Sequence, residues 1–212
     1  MKIIETNGIT YLEKFDSCSE WYWGTDYACG DLYEAEEVFL SGKEFASNRL
    51  IFIHYPDGSV FEPINAKKNQ YFGAPAYIDG IIYILLVSFD EKVIRVYQCS
   101  DDMNEIIIKI EISLSAVKDC YNLKIDGAPL MLTRQGGDNH FQIIWPDESD
   151  FCIGGRESFL FRKGNYMYFS EWHEDPEYRE EINVREYPAG KLVEKIQGAE
   201  MTMPDGQFWI LR

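Results

Sequence analysis

Two stretches of the sequence hold residue types that could do chemistry. The first, WYWGTDYACGDLYEAEE from Trp21 to Glu37, places five carboxylates and five aromatic side chains in seventeen residues. The second, SEWHEDPEYREE from Ser170 to Glu181, sets Glu171, Trp172 and His173 side by side in a strongly acidic segment. Carboxylates can bind cations or work in pairs as acid and nucleophile or base on a glycosidic bond, and neighbouring aromatic rings can stack on a sugar. The binding set this suggests is Trp21, Trp23, Asp26 and Tyr27 from the first stretch with Glu171, Trp172 and His173 from the second. If the protein is a glycosidase, Asp26 and Glu171 are the candidate catalytic carboxylates. The plainer alternative is a solvated acidic face in the first stretch and an exposed charged loop in the second, and the sequence leaves both open.

Other chemistries find little purchase. The three histidines, His54, His140 and His173, stand at no metal-binding spacing to one another, and no EF-hand loop is visible, so neither a metal nor a cofactor is expected. There is no G-x-S-x-G elbow and no phosphate-binding glycine loop. Cysteines 18, 29, 99, 120 and 152 form no C-x-x-C pair, and their odd count and irregular spacing read as reduced, mostly buried thiols. A cysteine nucleophile would need a base beside it, which spacing alone does not supply.

Charge narrows the partners. With 36 acidic against 20 basic residues the formal net charge is −16, which repels phosphate backbones and anionic membrane surfaces. A protein or a small neutral ligand such as a sugar fits better than nucleic acid or membrane. The start of the chain has no apolar segment of signal-peptide length, and the longest apolar run, IIYILLV at 81–87, is too short to cross a membrane. A cytoplasmic protein is the expectation.

The elements that would position these residues are strands. The 212-residue chain is 46% hydrophobic and 15% aromatic, and its apolar runs are short, β-branched or aromatic, and separated by turn clusters such as PDGS, FDEK and PAGK. A unit of apolar run, glycine turn and apolar run recurs at Gly30, Gly80, Gly127, Gly164 and Gly206, with gaps of 50, 47, 37 and 42 residues. A second hairpin follows, marked by Tyr55, Tyr97, Trp145 and Tyr187 at gaps of 42, 48 and 42. Two hairpins make a four-stranded unit of propeller-blade size. The chain ends after one hairpin of a fifth unit, and it begins with KIIETNGITYLEKF, strand, Asn-Gly turn, strand. Together the two ends would complete a fifth blade.

The expected fold is therefore all-β, a single domain over 1–212, a five-bladed β-propeller whose closing blade is shared by the two termini, with a β-sandwich or barrel as the alternative. The repeat places Gly30 in a hairpin and makes the segment after it a strand. A short amphipathic helix is the competing possibility, since Leu32, Ala35, Glu36 and Phe39 share a helical face. The function expected is a non-enzymatic binding or interaction module presenting a ligand or protein partner on propeller loops, because units this short leave little room for catalytic insertions. A carbohydrate-active enzyme of glycoside-hydrolase type is the alternative.

Overall fold

The computed structural model describes residues 1–15, 18–100, 103, 105–127, 129–203 and 207–212. Among the described residues it is all-β apart from one short α-helix and a 3-10 turn at Leu114–Ala116, and its sheets are antiparallel. The chain divides into two compact units, Met1–Cys120 and Tyr121–Arg212.

The first unit holds two sheets and the helix. Strands β1 (Glu13–Lys14), β2 (Trp21–Thr25), β3 (Leu50–His54) and β4 (Val60–Phe61) pair in that order, with helix α1 (Leu32–Leu40) inserted between β2 and β3. The next sheet comprises β5 (Gln70–Phe72), β6 (Ala76–Ile78), β7 (Ile81–Ser88), β8 (Val93–Cys99) and β9 (Ile106–Ser113). Here β5 and β6 pair with different parts of the same long strand, β7. The turn between β6 and β7 is Asp79-Gly80, both at positive φ, the two-residue turn whose twist suits a hairpin.

The second unit repeats the plan twice. Strands β10 (Leu123–Asp126), β11 (Met131–Gln135), β12 (His140–Trp145) and β13 (Ser149–Cys152) form one four-stranded meander. Strands β14 (Glu157–Lys163), β15 (Tyr166–His173), β16 (Arg179–Glu186) and β17 (Leu192–Gln197) form the next. A two-stranded sheet of β18 (Ala199–Thr202) and β19 (Phe208–Leu211) follows. Every second hairpin read from the sequence is present, as β3–β4, β8–β9, β12–β13 and β16–β17. The glycine turns at 80, 127 and 164 lie in first hairpins, while the one at Gly206 falls outside the described residues.

Two expectations are corrected. Among the described residues no strand pairing forms the closing blade expected from the termini: β1 pairs with β2, and β18 and β19 pair with each other. The Asn7-Gly8 turn exists, with φ of 52° and 99°, but the residues flanking it run as irregular chain. The reason is packing. Ile9 is 3% exposed in a cluster with Ile51 and Ile53, joined by Ile4 and Leu12, so the N-terminal arm is spent covering the first sheet. The arm lies so close to β2 that a Cβ on Gly24 would come within 2.7 Å of the Tyr11 carbonyl oxygen.

The second correction concerns the acidic stretch, where a helix replaces the strand expected from the repeat. Asp31 caps α1 by accepting the Glu34 N–H at 2.8 Å, and Glu34 accepts the Asp31 N–H at 2.8 Å, a complete capping box. Leu32, Ala35 and Glu36 are the buried face. Gly30, at φ 83°, closes a turn from Tyr27 that leads into this cap rather than into a hairpin.

Each unit has its own core. In the first, Leu50 and Phe52 face Trp23, Phe72, Ile84 and Leu86, while Ile51 and Ile53 face the N-terminal arm, so β3 is buried on both sides. In the second, Met131, Phe141, Ile143, Phe159, Met167 and Phe169 pack together, with Phe141 and Phe169 ring centres 5.1 Å apart.

Candidate functional site

The polar site of the second unit grows out of strand alternation. Met167 and Phe169 of β15 are wholly buried, and every second residue along a strand points the same way. The next two positions on that core face are Glu171 and His173. On β16 the matching face carries Glu181, Asn183 and Arg185, and on β14 it carries Glu157. The register sets Glu157, Glu171 and Glu181 in a row across three strands, with Glu171 directly opposite both of the others.

These charges are handled in two ways. Glu157, 6% exposed, is gripped by Arg185 through Nε at 3.0 Å and Nη2 at 2.8 Å, and accepts the Gly154 N–H at 2.9 Å. Glu171 accepts from Asn183 Nδ2 and from Lys195 Nζ, both at 2.8 Å. Burial pushes its carboxyl upward, but the bonds from Lys195 and Asn183 and the neighbouring charges of Lys195 and His173 outweigh that, leaving it below the ordinary carboxylate value. His173 Nε2 lies 3.7 Å from Glu171 Oε1 and 3.8 Å from Glu181 Oε2, beyond hydrogen-bond length from either. Among the described residues His173 Nε2 and Asn183 Oδ1 are buried without a hydrogen-bond partner.

The sequence-predicted residues are distributed as follows. Glu171 and His173 are brought together; Trp172, between them, points to the opposite face, 42% exposed, with the Arg156 guanidinium 5.1 Å from its ring. Trp23 is buried in the first unit's core, so its role is packing. Trp21 is half-buried against His54 and Phe61, at ring distances of 4.8 and 5.6 Å. Asp26 accepts the Arg49 N–H at 3.0 Å, and Tyr27, exposed and at φ 49°, donates to Glu13 at 3.0 Å. Asp26 thus belongs to the first unit and Glu171 to the second. Of the first stretch's remaining carboxylates, Asp31 and Glu34 form the helix cap, and Glu36 accepts the Cys120 N–H at 2.7 Å.

Two further arrangements escaped the sequence. In the first unit a cleft of about 560 Å³ opens between the segments 44–49 and 62–68. Its floor is fixed by Asn48, 3% exposed, which bonds the Phe72 N–H and C=O at 2.8 and 3.1 Å. Phe45, Ile64 and Ala66 supply apolar surface, and Arg49–Glu62 and Lys68–Glu44 form ion pairs at the rim. In the second unit His140 and Cys152 are cross-strand neighbours, with Cys152 Sγ 3.6 Å from His140 Nε2 and His140 Nδ1 2.6 Å from Asp150 Oδ1. This is a thiol, a base and an orienting carboxylate within reach of one another. Glu181, Asn183 and Arg185, at alternate positions of EEINVRE, carried a legible signal of one polar face. Their meeting with Glu171 and His173 depends on register, which the sequence does not print.

No family model matches the chain, and no curated protein matches it. The longest helix of the described residues is the nine-residue α1, and none is long and apolar enough to cross a membrane. Among solved structures the chain is similar to the β-propeller domain of the trilobed protease from Pyrococcus furiosus, reported with an open velcro topology. The TM-score is 0.44 at 10% sequence identity, and the match covers 92% of this chain and 60% of that one.

Proposed function

We propose that the protein is a non-enzymatic binding module, its five sheets acting as blades that hold ligand-contacting loops in place. The observation that carries this is the cleft between segments 44–49 and 62–68, whose volume of about 560 Å³ lies in the range of small-molecule sites. Its mixture of apolar wall and paired rim charges suits a small neutral ligand or a peptide side chain. Nucleic acid is disfavoured by the net charge of −16. A reducing, cytoplasmic setting belongs to this reading, resting on the odd count and irregular spacing of the cysteines.

The carbohydrate-active alternative needs a carboxylic acid kept protonated near neutral pH. Glu171 is shifted the opposite way by Lys195 and Asn183, and the cleft carboxylates Glu44 and Glu62 are each paired with a cation. The binding reading is favoured for that reason.

The test is a thermal-shift screen of mono- and disaccharides and short peptides against the wild type and Ala46→Trp, an exposed position at which an indole would fill the cleft. A ligand that raises the melting temperature of the wild type and not of the variant is the expected result. A blank screen joined to a blank lysate pull-down at high protein concentration rejects the module. Hydrolysis of a glycoside that disappears in Glu171→Gln would instead establish the enzyme.

A further inference from the structure

We propose that Glu171, His173 and Glu181 form a binding site for a divalent first-row transition cation of the zinc(II) type, independent of the cleft in the first unit. One ligand atom from each of the three lies within 4.8 Å of the others. Zinc holds nitrogen and oxygen ligands at about 2.0–2.2 Å, which sets them roughly 3.0–3.6 Å apart. The separations of 3.7 and 3.8 Å from His173 Nε2 to the two carboxylates close onto such an ion with small side-chain movements.

Glu171 and Glu181 are direct cross-strand partners, like charges that the exposed Lys195 head bridges here. Two further features point to a cation rather than to a self-contained network. His173 Nε2 is buried with its acceptor lone pair or proton unused, facing both carboxylates. Asn183, 1% exposed, aims its amide into the cluster, where Nδ2 bonds Glu171 and Oδ1 has no partner among the described residues. Buried polar atoms are normally satisfied, so an unpaired pair of them beside two carboxylates marks room for a polar guest such as an ion with its water.

Lys195 is the competitor for this position. Its Nζ lies 2.8 Å from Glu171 Oε2 and 3.6 Å from Glu181 Oε2, doing as a monovalent head what the divalent ion would do better. Its side chain is 47% exposed, so it can swing into solvent when the ion enters. The donor set selects among ions. An imidazole with two carboxylates suits zinc or its first-row neighbours, whereas calcium requires six to eight oxygens and magnesium keeps mostly water. The ligands' side chains are 16–23% exposed, which leaves open coordination positions to water.

The experiment is calorimetric titration of the metal-stripped full chain with zinc chloride at pH 7, with magnesium and calcium as controls and cobalt(II) as an absorbing substitute. One saturable zinc site is expected, with magnesium and calcium silent at the same concentrations. His173→Ala should weaken it at least about tenfold, since even losing an outer partner of a metal ligand costs about 10–100-fold, while circular dichroism stays unchanged. Lys195→Met, at an exposed position, should tighten it about tenfold by removing the competing charge. Failure of the wild type to take up one zinc ion overturns the proposal. So does binding that is undiminished in His173→Ala or unaltered in Lys195→Met, since either places the ion elsewhere.

Discussion

Cys152 shows how a single residue's chemistry depends on its cross-strand partner. It is the exposed cysteine of the five; Cys29 is half-buried, and Cys18, Cys99 and Cys120 are buried. Burial raises the Cys99 thiol to about 11, which keeps it protonated and inert at neutral pH. Cys152 instead has the His140 imidazole 3.6 Å away, and Asp150 holds the other ring nitrogen. Iodoacetamide should therefore alkylate Cys152 before the other four, with the sulfur displacing iodide and His140 taking the thiol proton. His140→Ala should slow that labelling about tenfold at pH 7, less than the roughly 10²–10⁴-fold of a general base positioned in an active site, because the imidazole sits on an exposed surface. Mass-spectrometric peptide mapping over time checks it, and equal rates in the two proteins would show that exposure alone governs the thiol.

At the scale of the element, α1 decides the meaning of the acidic stretch. A nine-residue helix is too short to persist on propensity, so its cap and its buried face must hold it. Asp31→Ala removes one half of the capping box and should cost about 1 kcal/mol of stability, while Asp31→Ser should retain most of it. Urea denaturation monitored by tryptophan fluorescence measures both. The shared face of Leu32, Ala35 and Glu36 is legible in the sequence, where the glycine repeat through Gly30 nonetheless favours a strand; the Asp31–Glu34 capping box is what the structure adds in favour of the helix. Gly30 does turn the chain at positive φ, but a turn of this kind can lead into a helix as readily as into a strand. The second hairpins fared better. Each is a local unit of two alternating strands and a turn, and local pairing of that kind is encoded within a dozen residues.

For the whole molecule the dominant fact is the charge of −16, with a sequence pI near 4.5. Self-repulsion among exposed carboxylates opposes the folded state, and salt screens it over a length of about 10 Å at 0.1 M. Raising sodium chloride from about 10 to 200 mM should raise the melting temperature by roughly 2–5 °C, because screening then removes more repulsion than attraction. Scanning calorimetry checks this. A fall in melting temperature would show that ion pairs such as Arg95 with Glu91 and Glu111 contribute more than the net charge costs.

The sequence by itself determined the class of fold, the strands and turns of most hairpins and the sign of the electrostatic field. All of these rest on composition and on neighbours a few residues apart. Only the tertiary structure decided where the N-terminal arm goes, since its choice between a distant strand and the apolar surface of Ile51 and Ile53 is settled by packing. It alone decided, too, that Glu171 and His173 meet Glu181, Asn183 and Lys195. Which side chains face one another across a sheet depends on strand register, and a shift of one residue would turn every one of them to the other face.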